Sequence, residues 1–169
     1  LKKLSTTAWL NGYMDRAERV PTLKMEVESV INEYGKGHLI ATTACLGGEL
    51  STLTYELCKR EEVGDIENAN IYKAKISEFM QHMIALFGDD FYIECAPGKS
   101  EEQIVVNNRL IAIANAFMVK MVIGTDAHYL TKNDKYVHAS YLNSRDEDRE
   151  TESFYAYSYL QTEEEIKEN

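Results

Sequence analysis

Residues 118–130 read Met-Val-Lys-Met-Val-Ile-Gly-Thr-Asp-Ala-His-Tyr-Leu, and they contain the strand around which we expect the chain to pack. The short apolar run before Gly124, rich in β-branched residues, predicts a buried strand. In α/β sheets, functional side chains gather at the carboxyl ends of the strands. Asp126 and His128 lie two residues apart just after this end, so on an extended backbone their side chains point to the same side.

A carboxylate and an imidazole on one side of a strand end can share a metal ion. The structural alternative is that Asp126 is a turn or capping residue and His128 a packed or surface histidine. For an isolated Asp-x-His this alternative is the commoner outcome, so the choice depends on the rest of the chain.

The composition is that of a soluble globular protein. The chain has 169 residues, enough for one domain with its own core, and 44% of them are hydrophobic. No apolar run approaches the length of a membrane span and there is no signal peptide, so we predict a cytoplasmic protein without membrane contact. Because the chain begins with Leu1 and not Met, we expect it to be an excerpt or a processed chain.

The net charge and the cysteines bear on DNA binding and on the redox compartment of the protein. A net charge of -10 argues against strong duplex DNA binding by this piece alone, although a role beside a DNA-binding domain stays open. Cys45, Cys58 and Cys95 are odd in number and widely spaced, so they form neither a disulfide framework nor a Cys-x-x-Cys zinc pair. A reducing compartment fits this pattern best.

Strands and helices alternate along the chain. We predict buried strands at residues 38–43, 90–95 and 118–123, and a short edge strand at 155–159. Helices are predicted at residues 1–13, 23–34, 49–59, 65–87, 100–117, 131–142 and 161–168, with N-caps at Thr22, Asp65, Ser100, Thr131 and Thr162. Alternation of this kind implies parallel pairing. Three well-spaced strands are too few for a closed barrel, so the fold class is α/β, either part of a barrel or an open sheet.

Two further candidate residues lie near predicted strand ends. Cys45 follows the strand at residues 38–43, as Asp126 follows its own strand, and Glu94 lies near the end of the strand at 90–95. Gly47 and Gly48 would let the backbone after Cys45 pass close to another group. The alternative for Cys45 is a small buried apolar side chain, which is what most free cysteines are.

Three stretches, in this order, resemble the PHP (polymerase and histidinol phosphatase) domain of bacterial replicative DNA polymerase III alpha subunits. They are residues 37–49 (Gly-His-Leu-Ile-Ala-Thr-Thr-Ala-Cys-Leu-Gly-Gly-Glu), 87–94 (Phe-Gly-Asp-Asp-Phe-Tyr-Ile-Glu) and 125–130 (Thr-Asp-Ala-His-Tyr-Leu). Residues 159–165, Tyr-Leu-Gln-Thr-Glu-Glu-Glu, resemble the segment that leaves that domain. The resemblance extends from Leu4 to about Glu165.

This resemblance implies a fold and a metal site. PHP domains are distorted seven-stranded α/β barrels whose cleft binds up to three ions, often zinc or manganese. Cys45 matches the family's cysteine ligand. Asp126 and His128 match the family's final Asp-x-His pair, which implies that they are metal ligands and catalytic residues. Glu94 matches a strand acid that is either a ligand or a supporting residue. Thiolate, imidazole and carboxylate together suit zinc.

The chain also departs from the family. The His-x-His that opens a PHP domain is absent, and so are the ligands that follow it. We therefore interpret residues 1–169 as a single domain that is the C-terminal portion of a PHP domain, with an incomplete ligand set.

Function follows from the resemblance and not from composition. It implies a DNA-directed DNA polymerase as the parent protein, with the PHP domain acting as a metal-dependent 3′–5′ exonuclease for proofreading. A catalytically silent scaffold that braces the polymerase or docks a proofreading subunit is an equal alternative, and a small-molecule phosphoesterase of the PHP superfamily ranks below both. The implied partners are the rest of the alpha subunit, DNA through the parent polymerase, and a proofreading subunit.

Overall fold

The computed structural model describes residues 22–144 and 156–168. The elements, in chain order, are α1 (Lys24–Tyr34), β1 (Ala41–Thr42), α2 (Glu49–Glu62), α3 (Ile66–Phe87), β2 (Phe91–Cys95), α4 (Glu101–Phe117), β3 (Lys120–Ile123), α5 (Lys135–Asn143) and α6 (Glu163–Glu168). The predicted helix at residues 1–13 and the start of the predicted edge strand at Tyr155 lie outside the described residues.

The three strands form one sheet in the order β1-β2-β3, and both pairings are parallel. Ala41 is opposite Phe91 in the first pair, and Ile93 is opposite Met121 in the second. The predicted α/β class with parallel strands is therefore confirmed. Since parallel neighbours need a crossover connection, α2 and α3 join β1 to β2, and α4 joins β2 to β3.

The hydrophobic core lies on one face of this sheet, over its central strand. Phe91 and Ile93 of β2 are buried, and alternation along the strand sends Tyr92 and Glu94 to the opposite face. The helices that cover Phe91 and Ile93 contribute buried apolar side chains, namely Leu50, Leu57, Ala69, Ile76, Met80, Val106, Leu110, Ile113 and Ala114. No helix among the described residues has the length and apolarity needed to cross a membrane.

The prediction that the outer two strands are buried is wrong. Only Ala41–Thr42 of the predicted strand at residues 38–43 pairs with β2, and Ile40 is 73% exposed. In β3, Ile123 is 61% exposed. The reason is positional, because β1 and β3 flank the sheet of the described residues and the helices cover mainly the strand between them. Apolar composition marks a residue suited to burial but does not supply the neighbour that buries it.

Local capping signals set the helix boundaries much as expected. Helix α3 begins after Asp65, whose Oδ1 accepts the N–H of Asn68 at 3.2 Å, and ends at Gly88, where φ is 57°. The carboxylate of Glu165 and the hydroxyl of Thr162 accept each other's backbone N–H, which is the capping box of α6.

Two predicted caps differ in detail. At α1 the cap is Leu23 and not Thr22, because the Leu23 N–H donates to Oε2 of Glu26 at 2.8 Å. At α4, Ser100 Oγ accepts the Gln103 N–H as expected, but the amide of Gln103 donates to Asn107 instead of returning to the cap. The Ser100 cap therefore makes one of the two hydrogen bonds of a capping box.

An ionic cluster joins the three core helices. The carboxylate of Glu61 on α2 accepts from Lys73 on α3 at 2.8 Å and from Arg109 on α4. The hydrogen bond from Lys73, together with the charges of Arg109 and Lys73, lowers the pKa of Glu61 from its ordinary 4.5. Because Glu61 is partly exposed and the cations are more so, solvent screens this cluster and its contribution to stability is modest.

We predict that Glu61→Gln lowers the free energy of unfolding by about 0.5–1 kcal/mol at pH 7. A carboxyl group with a lower pKa in the folded chain stabilises it above the unfolded pKa, and this contribution is lost as pH falls through the folded value. The difference between wild type and variant should therefore shrink below pH 4. Urea unfolding at pH 7 and pH 3 measures it, and an equal difference at both pH values would contradict the prediction.

Helix α4 ends in a left-handed residue that is not glycine. Met118 has a φ of 54° and is 92% exposed, and its N–H donates to the carbonyl of Asn115 while that of Val119 donates to Ala114. This is the Schellman pattern, in which glycine is the favoured residue because a side chain is strained at positive φ.

We expect Met118→Gly to raise the free energy of unfolding by about 0.5–1 kcal/mol, because it relieves this strain and removes no buried contact. The matched control is Ala112→Gly, an exposed position inside α4, which should lower it by about 1 kcal/mol. Denaturant unfolding of both variants measures these changes. If both variants are destabilised, the Met118 side chain makes a contact that stabilises the fold by more than the strain at its positive φ costs.

Candidate functional site

The loops that follow the three strands meet at the carboxyl edge of the sheet. Between them lies a cavity of about 140 Å³ whose lining includes Cys45 after β1, residues 96–100 after β2, and Thr125 and Asp126 after β3. Tyr157 and Ser158, from the C-terminal part of the chain, complete one side. The structure therefore brings Cys45 and Asp126, which are 81 positions apart in the sequence, to one cavity.

Hydrogen bonds tie the three strand ends to one another. The N–H of Glu94 donates to Oγ1 of Thr43 at 2.9 Å, and the N–H of Gly124 donates to the carbonyl of Cys95 at 2.9 Å. Thr43 is buried, so its hydroxyl is shielded from water. These two hydrogen bonds fix the positions of the loops that carry Cys45 and Asp126 relative to the end of β2.

The backbone is left-handed at both loops. Ala44, just before Cys45, has a φ of 61°, and Asp126 has a φ of 44°. Such conformations are uncommon for residues other than glycine, and they concentrate at sites where the surrounding structure imposes them. A Cβ on Gly48 would lie 2.2 Å from the carbonyl oxygen of Thr43, so the predicted close approach is confirmed there, whereas Gly47 has no neighbour within 4 Å.

Asp126 and His128 are neighbours, but not in the way that an extended strand predicts. Because Asp126 is left-handed, the backbone is not extended, and Nδ1 of His128 lies 2.6 Å from the carbonyl oxygen of Asp126. The same nitrogen is 4.0 Å from Oδ1 of the Asp126 carboxylate. A carbonyl oxygen only accepts, so Nδ1 carries the hydrogen and the lone pair of the neutral ring is on Nε2. Nitrogen ligands of metals commonly have this arrangement.

The described residues do not complete a metal site. Within residues 22–144 and 156–168, no three side chains of His, Cys, Asp or Glu come close enough to hold an ion together. The cavity lining includes Cys45 and Asp126 but neither Glu94 nor His128. These residue types are ones that zinc binds, but too few of them come together in the described residues to hold an ion. The assignment of these four residues as ligands stays a prediction.

Glu94 lies directly against the backbone of Gly124. A Cβ built on Gly124 would come 2.0 Å from Oε1 and 2.4 Å from Cδ of Glu94, so the whole carboxyl end of that side chain occupies the space. Glu94 also acts on its neighbour Cys95. Burial, and to a lesser extent the charge of Glu94, raises the pKa of the Cys95 thiol, which is therefore protonated at neutral pH.

The structure also shows a residue that the sequence did not single out. The His138 ring, on α5, lies 5.2 Å from the ring of His128 and 5.7 Å from that of Tyr129, between centroids. Burial and the nearby His128 lower the pKa of His138. A histidine within a predicted helix gives no signal by itself, since only the folding of α5 back onto residues 128–129 produces this contact.

Residues 158–159, in the C-terminal part of the chain, bind the backbone of His128 and Tyr129. The carbonyl of Ser158 accepts the N–H groups of His128 at 2.7 Å and Tyr129 at 3.3 Å, and Tyr129 and Tyr159 form a parallel bridge. The short edge strand predicted at residues 155–159 is, in the described residues, this single bridge. It fixes the backbone of His128 at the edge of the cavity.

We predict that Gly124→Ala lowers the free energy of unfolding by about 1–3 kcal/mol, because the added methyl group displaces Glu94. In a Glu94→Ala background the same substitution should cost much less, since the obstructing side chain is gone. Denaturant unfolding of the two single variants and the double variant measures this coupling. Equal costs in both backgrounds would show that Glu94 is not the obstacle.

Comparison with known proteins places the chain beside DNA polymerases. No protein-family profile matches it. It is 44% identical over 170 aligned residues to the probable DNA polymerase YorL of Bacillus subtilis strain 168, and equally to a DNA-directed DNA polymerase of Bacillus phage SPbeta. Each alignment covers 99% of this chain and 13% of the relative. It is also 35% identical over 138 residues to the DNA polymerase III subunit alpha of Aquifex aeolicus, covering 82% of this chain and 10% of that protein.

Proposed function

Because the chain is similar over nearly its whole length to one segment of several DNA polymerases, we propose that it is a portion of a DNA-directed DNA polymerase of the DNA polymerase III alpha type. The observation that carries this proposal is the 44% identity over 99% of the chain. The chain spans only 13% of those relatives, so nucleotide transfer itself would belong to the remainder of the parent protein.

Within that polymerase, the chain is the C-terminal portion of a PHP-type barrel. Parallel strands alternating with helices, with the side chains Cys45 and Asp126 at one carboxyl edge, support this assignment. The outer edges of β1 and β3 have no further strand among the described residues. Other segments of the parent chain would supply the strands that extend the sheet and close the barrel.

Other segments of the parent chain would likewise complete the metal site. Cys45, Asp126 and His128, with Glu94 as a ligand or supporting carboxylate, would contribute a thiolate, two carboxylates and an imidazole toward zinc or manganese. Since no three such groups converge among the described residues, the remaining ligands would come from elsewhere in the polymerase. We therefore assign no reaction step to an ion held by these residues alone. Such a completed site would supply the chemistry that 3′–5′ exonuclease activity needs, since metal ions held by these residues would lower the pKa of a bound water and offset the negative charge of a phosphodiester.

A non-catalytic scaffold is the second candidate. Its supporting observation is the charge, since 28 acidic residues outnumber 18 basic ones. A surface with this balance suits contact with another protein, such as a proofreading subunit or the rest of the polymerase, better than contact with a DNA backbone. DNA would then be a partner only through the parent protein. We place a small-molecule phosphoesterase below both candidates, because the relatives are named as DNA polymerases.

The test uses the full-length polymerase carrying Asp126→Ala or His128→Ala, with Tyr136→Ala, an exposed position on α5, as the control. If the site is catalytic, both site variants should lose bound zinc or manganese, measured by elemental analysis. Excision of a 3′-mismatched primer should fall on the order of 100-fold, while primer extension stays within about twofold of wild type.

Unchanged excision together with unchanged metal content would exclude the catalytic site and leave the scaffold. Loss of primer extension in the Tyr136→Ala control as well would show a general folding defect, and that result would remove the site variants as evidence. A wild-type protein that extends no primer on any template would contradict the polymerase assignment itself.

A further inference from the structure

The solvent-facing side of helix α4 carries almost no charge. Between Glu102 and Lys120 the sequence has one charged residue, Arg109, in a chain in which 27% of the residues are charged. Arg109 is bound to Glu61 of α2, so its charge is directed toward a neighbouring helix. The exposed side of α3, by contrast, carries charged side chains, namely Glu67, Lys73, Lys75 and Glu78. A helix face that water covers is ordinarily polar or charged, and the face of α4 is neither.

Four exposed residues form a stripe along this uncharged side, and we call them the α4 stripe. They are Ile104, Asn108, Ile111 and Asn115. Ile104 is 47% exposed and Ile111 is 45% exposed. Because the four residues are spaced by four, three and four positions, they lie within about 60° of one another around the helix axis. The exposed side chains beside the stripe are small, namely Ala112 and Ala116. This is the spacing with which one helix packs along another.

The two asparagines of the stripe define the chemistry of a matching surface. Within residues 22–144 and 156–168, the structure gives the side-chain amides of Asn108 and Asn115 no hydrogen bond. An asparagine in a helix-packing seam selects a partner that offers it a polar group. A covering helix should therefore present apolar side chains to Ile104 and Ile111, and an amide or hydroxyl group to each asparagine.

The size of the stripe indicates where such a helix comes from. A stable interface between separate proteins has about 20–30 residues on each side, whereas the stripe and its two flanking alanines are six residues. Within one polypeptide a small contact is sufficient, because the effective concentration of the two surfaces is roughly millimolar. The alignments cover 99% of this chain and 13% of each Bacillus relative, so the polypeptide of those relatives is far longer than the aligned segment.

From these observations we propose that the α4 stripe is a contact within the parent polypeptide, covered by an amphipathic helix that lies outside residues 1–169. The inference rests on the proposed function, because that function makes this chain a portion of a longer polymerase. The contact is on the outer side of α4, and it is separate from the edge of the sheet that carries the candidate site.

The experiment measures the rate at which N-ethylmaleimide alkylates a cysteine at position 111 of the full-length polymerase, by peptide mass spectrometry of the Ile111→Cys variant. Ile71→Cys is the matched control, because Ile71 is 46% exposed and lies between the exposed Glu67 and Lys75 on α3. In the native protein, alkylation at position 111 should be about tenfold slower than at position 71, and in urea the two rates should be similar. Native rates within about twofold of each other would overturn the proposal.

Dilution of the protein identifies the source of the covering helix. If that helix belongs to the same polypeptide, alkylation at position 111 should not change over about a hundredfold dilution. Faster alkylation in dilute protein would show that a second molecule covers the stripe, and this result would contradict the proposal.

A charged substitution tests the helix contact itself. Adding Ile104→Glu to Ile111→Cys should accelerate alkylation at position 111 about fivefold, because a carboxylate beneath a covering helix would have to lose its water. A negative charge alone slows alkylation by disfavouring the thiolate, so an increase reports uncovering of the stripe. Ile66→Glu, at an exposed position of α3, should change the rate less than about twofold. No acceleration by Ile104→Glu in a protein with the wild-type circular dichroism spectrum would exclude the contact. The comparison of positions 111 and 71 decides the proposal if Ile104→Glu does not fold.

Failure of the proposed function is a separate result. A wild-type protein that extends no primer would contradict the polymerase assignment. The alkylation rates at positions 111 and 71, and their response to dilution, would still decide whether the α4 stripe is covered by its own polypeptide.

Discussion

Parallel pairing of β2 with both of its neighbours is the constraint on which the rest of this structure depends. Since parallel strands all end at the same edge, the loops after Thr42, Cys95 and Ile123 must meet there, although they are distant in the sequence. The same pairing requires a crossover between successive strands, and α2, α3 and α4 are those crossovers. Their buried side chains pack over Phe91 and Ile93, so the core that stabilises the sheet also fixes the position of the loops.

The site at this edge consists of pairs of groups. Cys45 and Asp126 share a cavity, Glu94 fills the space above Gly124, and His128 is bound through Nδ1 to the backbone of Asp126. Left-handed backbone, which residues other than glycine rarely adopt, occurs at Ala44 before Cys45 and at Asp126. A zinc site needs more donors in one place than these pairs provide. The proposed function accounts for this shortage if further segments of a longer chain meet the same edge.

The exposed parts of the sheet agree with that interpretation. Ile40, just before β1, and Ile123, in β3, are exposed although both are apolar, and β1 and β3 are the outer strands of the described sheet. Unpaired strand edges are sites where further strands add. The proposed barrel would add them from the same polypeptide, and this chain covers 13% of the length of its Bacillus relatives. The net charge of -10 is the observation behind the proposed scaffold role.

The sequence by itself determined the local structure. Asp65, Ser100 and Thr162 were identifiable as caps, the strands preceding Cys45 and Asp126 were recognisable as strands, and their alternation with helices implied parallel pairing. These features depend on neighbours within a few residues, which a sequence displays directly. Only the tertiary structure decided that β1 and β3 are the outer strands of the sheet in residues 22–144 and 156–168, and that Glu94 lies over Gly124. It also decided that Asp126 is left-handed and that His138 contacts His128. Those outcomes depend on which distant segment covers each residue, and no local pattern encodes the position of a distant segment.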